Sequence, residues 1–118
     1  MELKAPAGNL KSAIVALEAG ADSVYVGLAE VGNQRQQLQN LGRAEVGELC
    51  AAARGLGRKV VVTLNSTVTP RTLPAALRSV EDVAALGVSG VIVSDPGLAQ
   101  QIAATVPGVK VIYSVQGE

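Results

Sequence analysis

Leu17-Glu18-Ala19-Gly20-Ala21-Asp22-Ser23-Val24-Tyr25-Val26 and Ala84-Ala85-Leu86-Gly87-Val88-Ser89-Gly90-Val91-Ile92-Val93 follow one grammar: the end of a helix, a glycine able to take the left-handed cap conformation, a short turn and a buried strand. Two copies of the same αβ joint imply repeated βα units around a parallel sheet. Working outward from them, residues 3–5, 23–26, 59–64, 91–93 and 109–115 form short β-branched runs, each bounded by a turn residue. Most of these runs are nearly continuous apolar stretches, as expected of strands covered on both faces.

Between the runs the hydrophobic period changes to that of a helix. Leu10, Ala13, Ile14 and Leu17 make the stripe of a first helix, and Val46, Leu49, Cys50 and Ala53 that of a second. Leu73, Ala76, Leu77, Val80 and Ala84 mark a third, with Arg78, Glu81 and Asp82 off the stripe. The fourth opens with Asp95 as N-cap and Pro96 at the first helical position, carries Leu98, Ile102 and Val106 inward, and is stopped by Pro107. Five parallel strands and four helices in strict alternation predict an α/β fold, a partial TIM-type (β/α) barrel. A complete barrel takes about 250 residues, and this chain has 118. The competing architecture, an open doubly wound sheet, ordinarily covers its last strand with a helix, and here only Gly117 and Glu118 follow. Residues 1–118 therefore read as the amino-terminal part of one barrel domain, with no second domain.

Composition removes several function classes. Ten basic and ten acidic side chains cancel, and Tyr25 and Tyr113 are the only aromatics, so neither a basic patch nor stacking rings predict a nucleic-acid partner. No apolar run approaches the ~20 residues of a membrane span, and the expected compartment is the cytoplasm. One cysteine and no histidine argue against a metal or haem site built from this chain.

In parallel α/β folds ligands bind at the carboxyl ends of the strands. The polar residues there are Asn9; Asn33 and Arg35 in an overlong loop spanning residues 28–42; Thr63 and Asn65; Ser94 and Asp95; and Ser114 and Gln116. A set rich in amides and hydroxyls, with one cation and one carboxylate, suits a neutral or mildly anionic organic ligand better than a polyphosphate. Several of these have simpler roles open to them. Asp95 and Asn9 can cap helices, Asn65 can close a turn, and Arg35 can be a solvated charge. Ser114 and Gln116, inside an otherwise buried strand, must find partners. Cys50, on an apolar stripe, fits a small buried hydrophobe. No nucleophile accompanied by a base is visible.

Glu2-Leu3-Lys4-Ala5-Pro6-Ala7-Gly8-Asn9, then the block from Glu18 to Leu28, then Val62-Thr63-Leu64-Asn65 and Ser114-Val115-Gln116, resemble the amino-terminal barrel of the collagenase-like peptidase U32 family. Asn33-Gln34-Arg35, and the stretch from Asn65 through Thr69-Pro70 to Ser94-Asp95, look most like the ubiquinone-biosynthesis (UbiU-type) branch. That resemblance implies a part in oxygen-independent hydroxylation of the ubiquinone ring. Asn33, Arg35, Asn65, Ser114 and Gln116 would then orient a small organic or quinone-precursor substrate. It also implies a 4Fe-4S cluster in the full-length protein and a sister protein of the same family as partner. Other branches hydroxylate a pyrimidine base of RNA, and some members are described as collagen-degrading proteases. The family's cluster cysteines lie beyond the region covered by this chain and Cys50 matches none of them, so no cofactor is expected here. Family members usually place an aromatic two residues after the arginine of the loop; Gln37 stands there, so the loop is expected to lack an apolar anchor. Exposed sheet edges are expected to pair with the sister protein or in a homodimer, unless the chain is a fragment or a non-catalytic half-barrel.

Overall fold

Val60, Val62 and Leu64 are buried while Lys59, Val61 and Thr63 are exposed or half-buried, so the central strand shows one face to a core and the other outward. In the computed structural model, which describes residues 3–28, 41–64 and 69–113, five strands surround this pattern: β1 (Lys4–Ala7), β2 (Ser23–Gly27), β3 (Lys59–Leu64), β4 (Gly90–Val93) and β5 (Lys110–Tyr113). They alternate with α1 (Leu10–Glu18), α2 (Arg43–Leu56), α3 (Leu73–Leu86) and α4 (Pro96–Thr105). All neighbours pair in parallel, in the order β1-β2-β3-β4-β5. Sequential order with each helix packed beside the next is the barrel arrangement; a doubly wound sheet reverses its order and carries helices on both faces.

The register explains which side is the core. Ala5, Val24 and Val60 are partners across three strands, as are Ala7, Val26 and Val62. Val62 continues through Val91 to Val111. This face packs on Ala13 and Leu17 of α1, on Val46, Leu49, Cys50 and Ala53 of α2, on Val80 and Val83 of α3, and on Leu98 and Ile102 of α4. Each fully buried aliphatic side chain contributes about 1.5–3 kcal/mol. The third stripe differs from the expected one: Val83 is buried and Ala84 only partly so, because the helix turns its i, i+3 pair Val80 and Val83 to the sheet.

The expectation of strands covered on both faces is corrected. Among the described residues the second face, with Pro6, Tyr25, Val61, Thr63, Ile92 and Ile112, is covered by no helix, and all six are exposed or half-buried. Its apolar character made the strands look continuous in sequence. Strand ends shift slightly as well. β1 runs on through Pro6, which an edge strand tolerates, and β4 begins at Gly90.

The repeated joint is real and occurs three times. Gly20, Gly57 and Gly87 have φ of 114°, 69° and 107°. In each case the next residue donates its N–H five positions back, Ala21 to Ala16 at 3.0 Å, Arg58 to Ala53 at 2.8 Å and Val88 to Val83 at 3.2 Å. This is the Schellman closure, which satisfies carbonyls the helix end leaves open. At the amino ends of the strands Asp22 Oδ2 accepts the Leu3 N–H at 2.7 Å, while its Oδ1 takes Arg58 at 3.2 Å, tying β1, β2 and β3 together. Between α2 and α3, Arg43 donates to Ser79 Oγ at 2.8 Å and pairs with Asp82 at 2.9 Å.

Candidate functional site

Strands of this order bring whatever follows their carboxyl ends to one rim. Two of the polar residues expected there are committed to the backbone. Asn9 Oδ1 accepts the Ser12 N–H at 2.8 Å and Asp95 Oδ1 accepts the Leu98 N–H at 2.9 Å. Both are N-caps, so their side-chain oxygens close α1 and α4. Thr63 is different. It is half-buried, lies in register between Gly27 and Ile92, and stands on the uncovered face, since Val62 and Leu64 on either side face the helices. With glycine as one register partner, it sets a hydroxyl at the carboxyl end of β3 on that face.

The described residues that flank 29–40 meet there too. Leu28 and Leu41 form an isolated parallel bridge, with Leu28 N–H donating to Thr63 O at 3.2 Å and Leu41 N–H to Gly27 O at 2.9 Å. Both leucines are buried in the core. The expected lack of an apolar anchor at Gln37 lies outside the described residues. The Leu28–Leu41 bridge itself was not legible in the sequence, because two leucines thirteen positions apart carry no helical or strand period.

The five side chains expected to contact substrate all lie outside the described residues: Asn33 and Arg35 in 29–40, Asn65 in 65–68, Ser114 and Gln116 in 114–118. Their described neighbours Leu28, Leu41, Leu64 and Tyr113 stand at the ends of β2, β3 and β5.

Peptidase family U32 matches residues 8–118. The chain belongs to that family. The U32 chain is 32% identical to the tRNA hydroxylation protein P1 of Bacillus subtilis, over 98% of its own length and 27% of the relative's. It is likewise 32% identical to a collagenase of Porphyromonas gingivalis, with the same coverage of both. The 23S rRNA 5-hydroxycytidine C2501 synthase of Escherichia coli is 34% identical over 83% of the chain and 15% of that protein. The chain thus spans about a quarter or less of these relatives. Among solved structures, the U32 peptidase Mk0906 superposes with a TM-score of 0.63 at 21% identity, covering 97% of this chain and 49% of that one. A 2,3-dimethylmalate lyase gives 0.63 at 15%, covering 98% and 47%. These likenesses support the partial barrel.

The donors of this U32 chain do not fit an iron–sulfur cluster. Its single cysteine, Cys50, is buried on the sheet side of α2, and no three metal-binding side chains gather among the described residues. Burial pushes the Cys50 thiol up, with Arg54 pulling the other way more weakly. A neutral, enclosed thiol is a poor ligand and a poor nucleophile. Among the described residues no helix is long and apolar enough to cross a membrane.

Proposed function

We propose that this chain forms the substrate-orienting part of a U32 barrel that hydroxylates a pyrimidine base of RNA. The observation that carries the reading is the rim. Thr63 and the Leu28–Leu41 bridge lie at the carboxyl ends of the strands, and relatives named for tRNA and rRNA hydroxylation align over most of the chain, which supports the reading. Asn33, Arg35, Asn65, Ser114 and Gln116 supply amide, hydroxyl and guanidinium donors and acceptors matched to the edge of a base. The single cysteine does not fit a cluster, so the redox group of such a reaction would have to be supplied by residues other than these. Zero net charge predicted no nucleic-acid partner for these residues; in this reading the phosphate backbone is gripped by the remainder of a longer protein.

Hydroxylation of a quinone ring is the second reading, favoured by the UbiU-like stretches around Asn33-Gln34-Arg35 and from Asn65 to Asp95. Both readings need a planar ring held at the same rim. Proteolysis is less well supported, because the chain has no histidine and Cys50 is enclosed and held neutral.

A chimera tests this directly. The matching segment of the Bacillus subtilis relative is replaced by this chain, and tRNA from a host lacking its own hydroxylation protein is digested and weighed by mass spectrometry. Nucleosides one oxygen heavier are expected from the chimera and should fall at least tenfold with Arg35→Ala or Asn65→Ala. A chimera that hydroxylates fully with both substitutions in place would sink the proposal. Restoration of quinone synthesis without any modified nucleoside would select the second reading.

A further inference from the structure

We propose that Thr63 is a positioning residue of the rim, whose hydroxyl holds one exocyclic oxygen or nitrogen of the ring to be hydroxylated as that ring settles over Gly27. The role rests on the proposed reaction and adds to it the side chain that turns the ring. Gly27, Thr63, Ile92 and Ile112 are register partners in one row across β2 to β5, the row nearest the carboxyl ends on the uncovered face. Within that row Thr63 carries the single hydrogen-bonding side chain, its companions being a glycine and two isoleucines.

Thr63 is half-buried, and among the described residues its hydroxyl has no hydrogen-bond partner. A hydroxyl partly withdrawn from water beside apolar neighbours costs free energy until it finds a partner. Val61 stands below it on the same face and the sheet lies behind it, so that partner reaches it from the rim or from the open side. The hydroxyl is also held in place. β3 pairs on both sides, and Thr63 O accepts the Leu28 N–H at 3.2 Å just beyond β2. A group carried by a strand is oriented more precisely than one carried by a loop. Branching at Cβ restricts χ1, which leaves Oγ1 few positions to occupy.

Gly27 supplies the space. No side chain projects from β2 beside Thr63, which leaves a gap about 5 Å across, one strand spacing, next to the hydroxyl. One row down, Tyr25 stands on the same face of the same strand. An aromatic residue below the gap and a hydroxyl beside it suit a flat ring with one polar edge. A hydroxyl both donates and accepts, so it serves a ring amine and a ring carbonyl alike. Thr63 therefore sets the orientation of the ring and leaves the choice between those two groups to other residues.

The experiment uses the chimera with the Bacillus subtilis relative, in the host lacking its own hydroxylation protein, and compares Thr63→Val, Thr63→Ser and the remote Thr105→Val. Valine keeps the branched shape and loses the hydroxyl, whereas serine keeps the hydroxyl and loses the methyl group. Nucleosides one oxygen heavier are measured by mass spectrometry against the amount of chimera in the cell, and thermal melts of the purified chimeras report folding. Thr63→Val should lower the modified nucleoside about tenfold or more with no fall in melting temperature, while Thr63→Ser should stay within about threefold of the parent. Thr105→Val, on the exposed side of α4, should match the parent. A merely structural role gives the reverse order, because a strand favours valine over serine. Full modification with Thr63→Val overturns the proposal, as does a Thr63→Ser chimera no more active than Thr63→Val, or a loss at Thr63→Val accompanied by an equal fall in the melt of that chimera alone. Should the parent restore quinone synthesis instead, the same order of variants is expected in quinone yield. A parent that yields neither product removes the functional reading and this role with it; an active parent indifferent to Thr63→Val removes the role alone.

Discussion

Replacing Leu41 by alanine should unpin the long rim loop and cost the domain a large share of its stability. Leu41 is fully buried and is bridged to Leu28, itself in the core. Removing three buried carbons at about 0.8 kcal/mol each gives about 2.4 kcal/mol of lost transfer free energy. A cavity term brings the expected loss to about 3–4 kcal/mol, within the range of buried leucine truncations. Whole domains are stable by only about 5–15 kcal/mol. The control is Leu56→Ala, at a position 47% exposed at the end of α2, which should cost under about 1 kcal/mol. Urea unfolding followed by far-UV circular dichroism reads both, the midpoint moving while the slope holds. If the two leucines act as one anchor, Leu28→Ala and the double variant should show a coupling of about 0.5 kcal/mol or more. A loss at Leu41 no greater than that at Leu56, or strict additivity with Leu28, would refute the anchor.

Gly90→Ala should destabilise by about 1–3 kcal/mol, because the new Cβ would lie 3.0 Å from the Lys110 carbonyl oxygen and β5 would have to shift. Gly55→Ala, in α2 with no atom within 4 Å, should instead stabilise by about 0.5–1 kcal/mol; thermal melts of the two variants should move in opposite directions. Asp95→Ala should cost about 1 kcal/mol through loss of the α4 cap and leave substrate affinity in the chimera unchanged, which a binding titration checks. Cys50 adds a pH dependence. Its folded-state thiol is held above the ordinary value of 9.0, so folded and unfolded chains are equally protonated well below pH 9. As pH rises past 9 the unfolded thiol ionises first and stability falls until the folded pKa is passed. Cys50→Ala should remove that alkaline decline from a urea-midpoint series taken across pH 8 to 11.

Much of the fold was legible because its signals are local. Asp95-Pro96 marks a helix start through cap chemistry, and Gly20 and Gly87 mark helix ends through a conformation few other residues take; each appears in the structure as read. Gly57 completes the set, hidden in sequence because Arg58 and Lys59 follow it where the other joints have small residues. Which strand face is covered was not legible, since Val61, Ile92 and Ile112 are as apolar as the buried valines beside them and only strand order and helix side separate the two. At the rim, residue type alone could not tell a cap from a contact. Asn9 and Asp95 were open to both roles in the sequence, and their backbone partners show them as caps.

The uncovered face thus divides into two ends with different chemistry, and the division follows from how parallel strands are joined. Residues at strand starts are held by the preceding turn, where the Asp22–Arg58 pair and the Schellman glycines fix the backbone closely. Residues beyond strand ends leave the ladder, and their freedom is limited by what ties the segment back. The Leu28–Leu41 bridge brings the two described residues that flank 29–40 to adjacent points of the sheet. The strand starts are thus fixed by turns and an ion pair that do not involve the strand ends. Relatives of similar fold but differently named substrates are what such a separation allows.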